Sequence, residues 1–206
     1  MAKGYWISRI DVRDPERFKL YAAAAGPAIE AFGGRFLVRG GGFEALEGTA
    51  RARNVVVEFP DYDTAVACFR SPDYQVAYEH RIAASQDEHL IIEGYEGDQP
   101  AAGLIDGPPT APGAAYWVMR LDVHDTEGYK PYLAADALAV AKYKGWFLVR
   151  GGRHEAVSGT ARSRNVVLAF ADYETALACY RSPEYQAALA FRKAAAEGEV
   201  IVAEGV

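Results

Sequence analysis

The sequence is short of the features that would place it in several large functional classes. It has only two cysteines, two methionines and three tryptophans in 206 residues. No apolar run approaches the roughly 20 residues that span a bilayer, and the first residues, MAKGYWISRID, contain no apolar segment typical of a secretory signal. A formal net charge of −6 offers no basic surface to nucleic acid or to an anionic membrane. We therefore expect a cytoplasmic protein that binds neither nucleic acid nor membrane.

Several catalytic and metal-binding motifs are also missing. CxxC, HExxH and GxSxG do not occur, and the glycines of RGGGF lack the Lys-Ser/Thr ending of a phosphate-binding loop. Cys68 and Cys179 stand in apolar helical stretches, which favours buried core residues over a disulfide or a nucleophile. None of the four histidines is duplicated between the two halves of the chain, although His154 could serve a one-sided site. We predict no metal site and no cofactor.

What the chain does contain is an internal repeat. The stretch from Tyr5 to Gly94 recurs without a gap from Tyr116 to Gly205, with many identical residues. Self-similarity at a fixed displacement indicates two copies of one structural unit. Between them lies a stretch rich in glycine and proline, typical of a linker. The predicted domains are residues 1–95 and 116–206, joined by a linker over residues 96–115.

Each repeat predicts the element order β-α-β-β-α-β. YWISRIDV alternates as a strand, Asp14-Pro15-Glu16 is typical of a helix start, and Gly33-Gly34 of a helix end. The segments RFLVR and RNVVVEF read as strands joined by a hairpin connection, GGGFEALEGTA; a second helical region and the strand HLIIEGY follow. This order predicts an α+β fold of ferredoxin-like repeats, with the helices on one face of each antiparallel sheet. In the second repeat, Pro131 predicts a kink or a delayed start of the first helix.

The sheet face without helices carries apolar residues in this prediction. They are Ile7, Leu37, Val56 and Ile91, with Val118, Leu148, Val167 and Val202 in the copy. An apolar patch of that size is rarely left in water. We therefore expect the two sheets to pack face to face.

Polar residues that recur in both repeats define a candidate site. Strand alternation puts Arg9 and Asp11 on the face away from the helices, and the same parity places Arg39 and Asn54 there. The candidate ligand-binding residues are Arg9, Asp11, Arg39 and Asn54, with their copies Arg120, Asp122, Arg150 and Asn165. A guanidinium fork suits a carboxylate of either a protein or a ligand. Two interpretations stay open: an ion-pair network that closes the domain interface, or a pocket for a small anionic or carbonyl-bearing molecule.

Several of these segments resemble a known family. Tyr5 with Asp11, the helix start Asp14-Pro15-Glu16, and the segments FLVRGG, VVVEFPDY, SPDYQ and IIEGY are similar to the domain of unknown function 1330 family. The resemblance covers both repeats and implies the dimeric α/β-barrel superfamily, here formed within one chain as a monomer with pseudo-dimeric repeats or as a homodimer. Relatives in that superfamily include cofactor-free monooxygenases, lactone isomerases, haem enzymes and ligand-binding proteins. The resemblance therefore implies a fold and leaves the reaction open.

Two functions follow as hypotheses. The first is a protein that binds a small anionic or carbonyl-bearing molecule between the two sheets. The alternative is a cofactor-independent enzyme, monooxygenase-like or isomerase-like, acting on a small hydrophobic acid or enol. An enzyme would place an ionisable group with a shifted pKa inside an apolar cavity. No nucleophile–base pair stands out in the sequence, so it does not decide between the two.

Overall fold

A computed structural model describes residues 1–206, and both repeats contain the same eight elements. The first repeat consists of β1 (Gly4–Val12), α1 (Pro15–Ala31), β2 (Arg35–Arg39), β3 (Phe43–Glu47), β4 (Arg53–Phe59), α2 (Tyr62–Arg70), α3 (Pro72–Ala84) and β5 (Ser85–Glu93). The second consists of β6 (Ala115–Val123), α4 (Thr126–Lys142), β7 (Trp146–Arg150), β8 (His154–Ser158), β9 (Arg164–Phe170), α5 (Tyr173–Arg181), α6 (Pro183–Ala195) and β10 (Ala196–Glu204). The α+β class predicted from the sequence is confirmed.

Each sheet is antiparallel and has five strands. The first sheet has the order β2-β4-β1-β5-β8, and the second has the order β3-β10-β6-β9-β7. The connection GGGFEALEGTA is thus more than a hairpin loop, because its strand β3 pairs with β10 of the second repeat. Strand β8 of the second repeat pairs with β5 of the first in the same way. Each repeat therefore donates one strand to the sheet of the other.

This exchange defines two compact units along the chain. The first unit comprises residues 1–40, 51–95 and 152–161, and the second comprises residues 41–50, 96–151 and 162–206. The predicted linker lies in the second unit, where the side-chain amide of Gln99 donates to the Phe147 carbonyl and accepts from the Phe147 N–H, both at 2.9 Å. The Gln99 amide thus pairs with the backbone of β7, the outermost strand of its sheet.

The helices begin where the sequence supplies capping side chains. Asp14 accepts from the Arg17 N–H at the start of α1, Asp61 from the Thr64 N–H at α2, and Ser71 from the Tyr74 N–H at α3. The second repeat uses Asp125, Asp172 and Ser182 in the same roles. Helix α4 begins at the position equivalent to the start of α1 and runs through Pro131, so the proline does not delay its start.

A β-bulge in β2 changes the direction of Arg39. The register of β2 against β4 shifts between Phe36 and Val38, so one extra residue is inserted. Arg39 then pairs with Val55, which faces α1, and the same shift in β7 turns Arg150 toward α4. The prediction that both arginines face away from the helices is wrong, since alternation along a strand cannot anticipate an extra residue.

Aromatic side chains form the core between the first sheet and its helices. Trp6 contacts the rings of Phe59 and Tyr74, at centroid distances of 4.8 and 4.7 Å, and its indole N–H donates to the Ala65 carbonyl in α2. Ile91 pairs with Trp6 and packs in this core. The prediction that Ile91 lies on the face without helices is therefore wrong. The same prediction for Val202 is wrong too, since Val202 pairs with Trp117 in the second repeat. None of the helices has the length and apolar character needed to cross a membrane.

Candidate functional site

Arg9 and Asp11 belong to a chain of ion pairs on the face of the first sheet away from its helices. Arg9 is buried and lies 3.1 Å from a Glu88 carboxylate oxygen. Arg51 links Glu88, at 3.3 Å, to Asp11, at 2.5 Å. A hydrogen bond from the Ala52 N–H, together with Arg51, holds the pKa of Asp11 below its usual value. These charges satisfy one another within the protein.

The second repeat builds the same network. Arg162 bridges Asp122 at 2.6 Å and Glu199 at 2.7 Å, and Arg120 lies 3.7 Å from Glu199. Arg9, Asp11, Arg120 and Asp122 are thus each ion-paired with residues of their own repeat. Sequence reasoning missed the acceptor residue, although Glu88 has the strand parity that places it beside Arg9.

Asn54 and Asn165 serve the local backbone. The Asn54 side-chain amide donates to the Arg51 carbonyl at 3.2 Å, and that of Asn165 donates to the Arg162 carbonyl at 2.9 Å. Each bond stabilises the turn that leads into a strand, β4 or β9. The side-chain oxygens of both asparagines are buried without a hydrogen-bond partner.

A cavity lies on the other side of the first sheet, beneath α1. The empty space among its lining residues is about 480 Å³, counting the part that is open to solvent. Apolar side chains form most of its wall, and the shorter residues Ser8, Ala22, Ala25 and Gly26 leave the space. The remaining lining residues are Trp6, Ile10, Phe18, Tyr21, Ile29, Phe36, Arg39, Arg53, Val55, Val57 and Arg81. An apolar wall with a few polar side chains is typical of a site for a small organic molecule.

Two arginines at this cavity lack a carboxylate partner. The Arg39 guanidinium lies over the Phe36 ring, 4.4 Å from its centroid, and reaches toward Gly26 of α1. Arg53 donates to the Arg39 carbonyl at 2.9 Å and lies over the Phe18 ring. Burial lowers the pKa of Arg53, and the nearby charge of Arg39 lowers it further against an opposing effect of Tyr21. The cavity therefore has an uncompensated positive charge.

The third arginine of the wall, Arg81, is neutralised. It is fully buried, pairs with Asp87 at 2.5 Å and donates to the Tyr21 hydroxyl at 3.2 Å. The Tyr21 hydroxyl in turn lies 3.2 Å from that of Tyr74. This cluster fixes one wall of the cavity and leaves Arg39 and Arg53 as the two cations without a counter-charge.

The equivalent region of the second repeat is largely filled. Its cavity measures about 220 Å³. Met119, Leu133 and Asp136 stand where the first repeat has Ser8, Ala22 and Ala25, and Ala137 replaces Gly26. These larger side chains occupy the space that stays open under α1.

Asp136 places a carboxylate inside this second cavity. It is buried and lies 3.7 Å from Arg150, the copy of Arg39. Burial raises the pKa of Asp136 to about 6, because it outweighs the attraction of Arg150, Arg164 and Arg192. The carboxyl is therefore mostly ionised at neutral pH and balances the arginines that surround it.

Neither cavity is lined by Cys68, Cys179 or His154. Cys68 and Cys179 are free buried thiols, and burial raises the pKa of each to about 12. His154 lies on β8 at the surface. No group of three or more His, Cys, Asp and Glu side chains is arranged to hold a metal ion.

Of the eight predicted site residues, the structure brings only Arg39 to the larger cavity. Sequence reasoning missed Arg53, Arg81 and Tyr21, which recur in the copy as Arg164, Arg192 and Tyr132. One difference visible in the sequence could have indicated that the two repeats differ here: the first has Ala25 where the second has Asp136, inside an apolar helix.

Comparison with known protein families identifies the family to which this chain belongs. The model of the domain of unknown function family DUF1330 matches residues 3–95 and again residues 114–206. The chain therefore belongs to this family and carries two copies of its domain. A search of the curated proteins finds no match.

Solved structures share the fold at low sequence identity. An anthrone oxidase-like protein is 13% identical with a TM-score of 0.57, over 100% of this chain and 91% of that one. A variant of chlorite dismutase from Candidatus Nitrospira defluvii is 10% identical with a TM-score of 0.57, over 99% of this chain and 91% of that one. A candidate monooxygenase from Lactobacillus acidophilus NCFM is 9% identical with a TM-score of 0.51, over 100% of this chain and 94% of that one. These similarities are of the fold alone and carry no reaction with them.

Proposed function

We propose that this DUF1330 protein binds a small organic molecule in the cavity between α1 and the first sheet. The observation that supports the proposal most strongly is the difference between the repeats. The first repeat keeps about 480 Å³ where the second, built on the same framework, keeps about 220 Å³. Since the second copy fills this region with Met119, Leu133 and Asp136 and keeps its fold, the framework does not require the open space that the first copy retains.

The position of the site differs from the one that the sequence suggested. The proposed ligand lies on the helix side of one sheet, and Arg9, Asp11, Asn54 and their copies take no part in holding it. Arg39 is the one predicted residue that stays in the proposal.

Binding explains the cavity wall better than catalysis does. General acid–base chemistry requires a titratable group that can reach the ligand. The wall contains arginines and Tyr21, whose hydroxyl already accepts from Arg81, but no histidine, carboxylate or thiol. Several solved structures with this fold have oxygenase or oxidase names, yet that similarity is of fold alone. A binding function is therefore the one that these residues support best.

Filling the first cavity should abolish binding. The double variant Ser8→Met with Ala22→Leu introduces the residues that the second repeat carries at these positions. In a thermal-shift screen of small neutral and charged organic molecules, we expect hits that raise the Tm of the wild type. A ligand at ten times its Kd adds about 1.4 kcal/mol to the free energy of unfolding, or a few degrees in Tm.

The matched control is Ala23→Leu, which adds the same side chain one residue further along α1, at an exposed position. It should keep the response to every hit, whereas the double variant should lose it. Hits that stabilise all three proteins equally, or a screen without hits, would contradict binding in this cavity.

A further inference from the structure

We infer that the ligand of the first-repeat cavity carries a carboxylate, which Arg39 and Arg53 bind, and an apolar body that lies under α1. This inference rests on the proposed binding function and adds the chemical class of the ligand. It comes from comparing the two cavities residue by residue.

The second repeat has a carboxylate of its own chain beside the copies of these arginines. Arg150 and Arg164 are the copies of Arg39 and Arg53, and the side chain between them and α4 is Asp136. Its carboxylate lies 3.7 Å from Arg150 and is attracted by the charge of Arg164. A carboxylate is thus accommodated in this framework at the position of residue 136, which corresponds to Ala25 in the first repeat.

The first repeat keeps the two cations and lacks the anion. Ala25 has no charge, and neither Arg39 nor Arg53 has a carboxylate partner, whereas Arg81 is paired with Asp87. Two guanidinium groups that face one cavity repel each other, and an anion placed between them relieves that repulsion. A guanidinium also binds a carboxylate in two-point geometry, which favours this anion over a diffuse negative charge.

The rest of the wall describes the remainder of the ligand. Ile10, Phe18, Ile29, Val55 and Val57 form an apolar surface next to the arginines. The small side chains of Ser8 and Ala22, where the copy has Met119 and Leu133, leave further space in the same cavity. A molecule with one carboxylate at its end and a short aromatic or aliphatic body fits this division between charged and apolar walls.

The experiment compares phenylacetate with phenylacetamide, which have nearly the same shape and differ in charge. Binding to the full chain is followed by NMR, from the resonances of cavity residues during titration with each compound. We expect phenylacetate to bind at least about tenfold more tightly than the amide, the gain typical of a charge-assisted pair. Inorganic phosphate serves as a third probe, and we expect it to bind more weakly than phenylacetate because it lacks the apolar body.

Arg39→Met and Arg150→Met are matched variants of equivalent residues. Arg39→Met should remove the preference for the acid over the amide, and Arg150→Met should leave it intact because Arg150 pairs with Asp136. Ala25→Asp supplies the internal carboxylate of the second repeat. It should abolish acid binding, whereas Ala25→Ser, which adds no charge, should retain it.

The outcomes separate the inference from the function on which it rests. If acid and amide bind the wild type equally, or if Arg39→Met keeps the preference, the carboxylate inference is overturned and the binding function stands. Phosphate binding as tightly as phenylacetate would replace the carboxylate with a general anion site and would also overturn it. If neither compound perturbs cavity residues, and the screen described above finds no hit, both proposals fail together.

Discussion

At the scale of single residues, His89 is the most unusual side chain of the first core. It is 1% exposed, its ring lies 4.9 Å from Trp6 and 5.4 Å from Phe69, and neither ring nitrogen has a hydrogen-bond partner. Burial lowers the pKa of His89 well below its usual value, and the charge of Arg81 lowers it further. The second repeat has Val200 at this position, so the core does not need an imidazole.

We therefore expect His89→Val to make stability less sensitive to acid. Below about pH 6.5 the unfolded chain protonates its histidine and the native state does not, so the wild type loses about 1.4 kcal/mol per pH unit from this group. Urea unfolding at pH 7.5 and pH 5 should show a smaller loss for the variant. Asp136 has the opposite effect, since its raised pKa stabilises the native state in acid. This contribution is the same in the wild type and the variant, so it cancels when the two are compared. An equal pH dependence in the two proteins would contradict the assignment of His89 as buried and neutral.

At the scale of elements, the donated strand β3 is fixed by a buried charge. Glu47, its last residue, pairs with Arg192, which is almost fully buried, and accepts from the Tyr180 hydroxyl at 2.7 Å. Glu44, on the same strand, pairs with Arg181 at the surface. Strand β3 is thus joined to α6 and to α5 by two ion pairs that differ in burial.

Neutralising these two carboxylates should have very different consequences. Glu47→Gln removes the carboxylate that pairs with the buried charge of Arg192, and breaking a buried pair in this way typically costs about 3–5 kcal/mol. Glu44→Gln removes an exposed pair and should cost less than about 1 kcal/mol. Chemical denaturation of the two variants measures both values. Equal losses would show that Glu47 does not stabilise the donated strand through its charge.

The elements also show what could be predicted from the sequence. Helix starts at Asp14, Asp61 and Ser71 were predictable because a cap acts within a few residues. The partner of β3 was not, because its pairing with β10 spans the chain and Gly40-Gly41-Gly42 is equally typical of a loop. The direction of the Arg39 side chain could not be predicted, because the β-bulge in β2 does not show in the alternation of apolar and polar residues. The cavity depends on a few differences in side-chain size between the copies. A direct comparison of the two repeats reveals these differences, but it does not show that the residues line one cavity.

At the scale of the whole molecule, duplication has allowed the two copies to diverge. The networks around Arg9 and Arg120 are the same in both, as are the caps and the aromatic core around Trp6 and Trp117. The cavities are different, since one is filled around an internal carboxylate and the other is not. A single chain thus keeps two similar frameworks and, in our proposal, one binding site, so we expect a stoichiometry of one ligand per chain.

Strand exchange makes each repeat incomplete by itself, which gives a prediction for the isolated first repeat. A fragment of residues 1–97 contains β3 without β10 and β5 without β8, so an exposed strand and an exposed sheet edge are both left unpaired. Because β5 and β10 are equivalent, β3 of one fragment can pair with β5 of a second. We expect this fragment to form a homodimer at micromolar concentration, as measured by sedimentation. Ala45→Pro, in the middle of β3, should prevent dimer formation because proline cannot donate to the ladder. A stable monomer of the unmodified fragment, folded by circular dichroism, would show that the donated strand is dispensable.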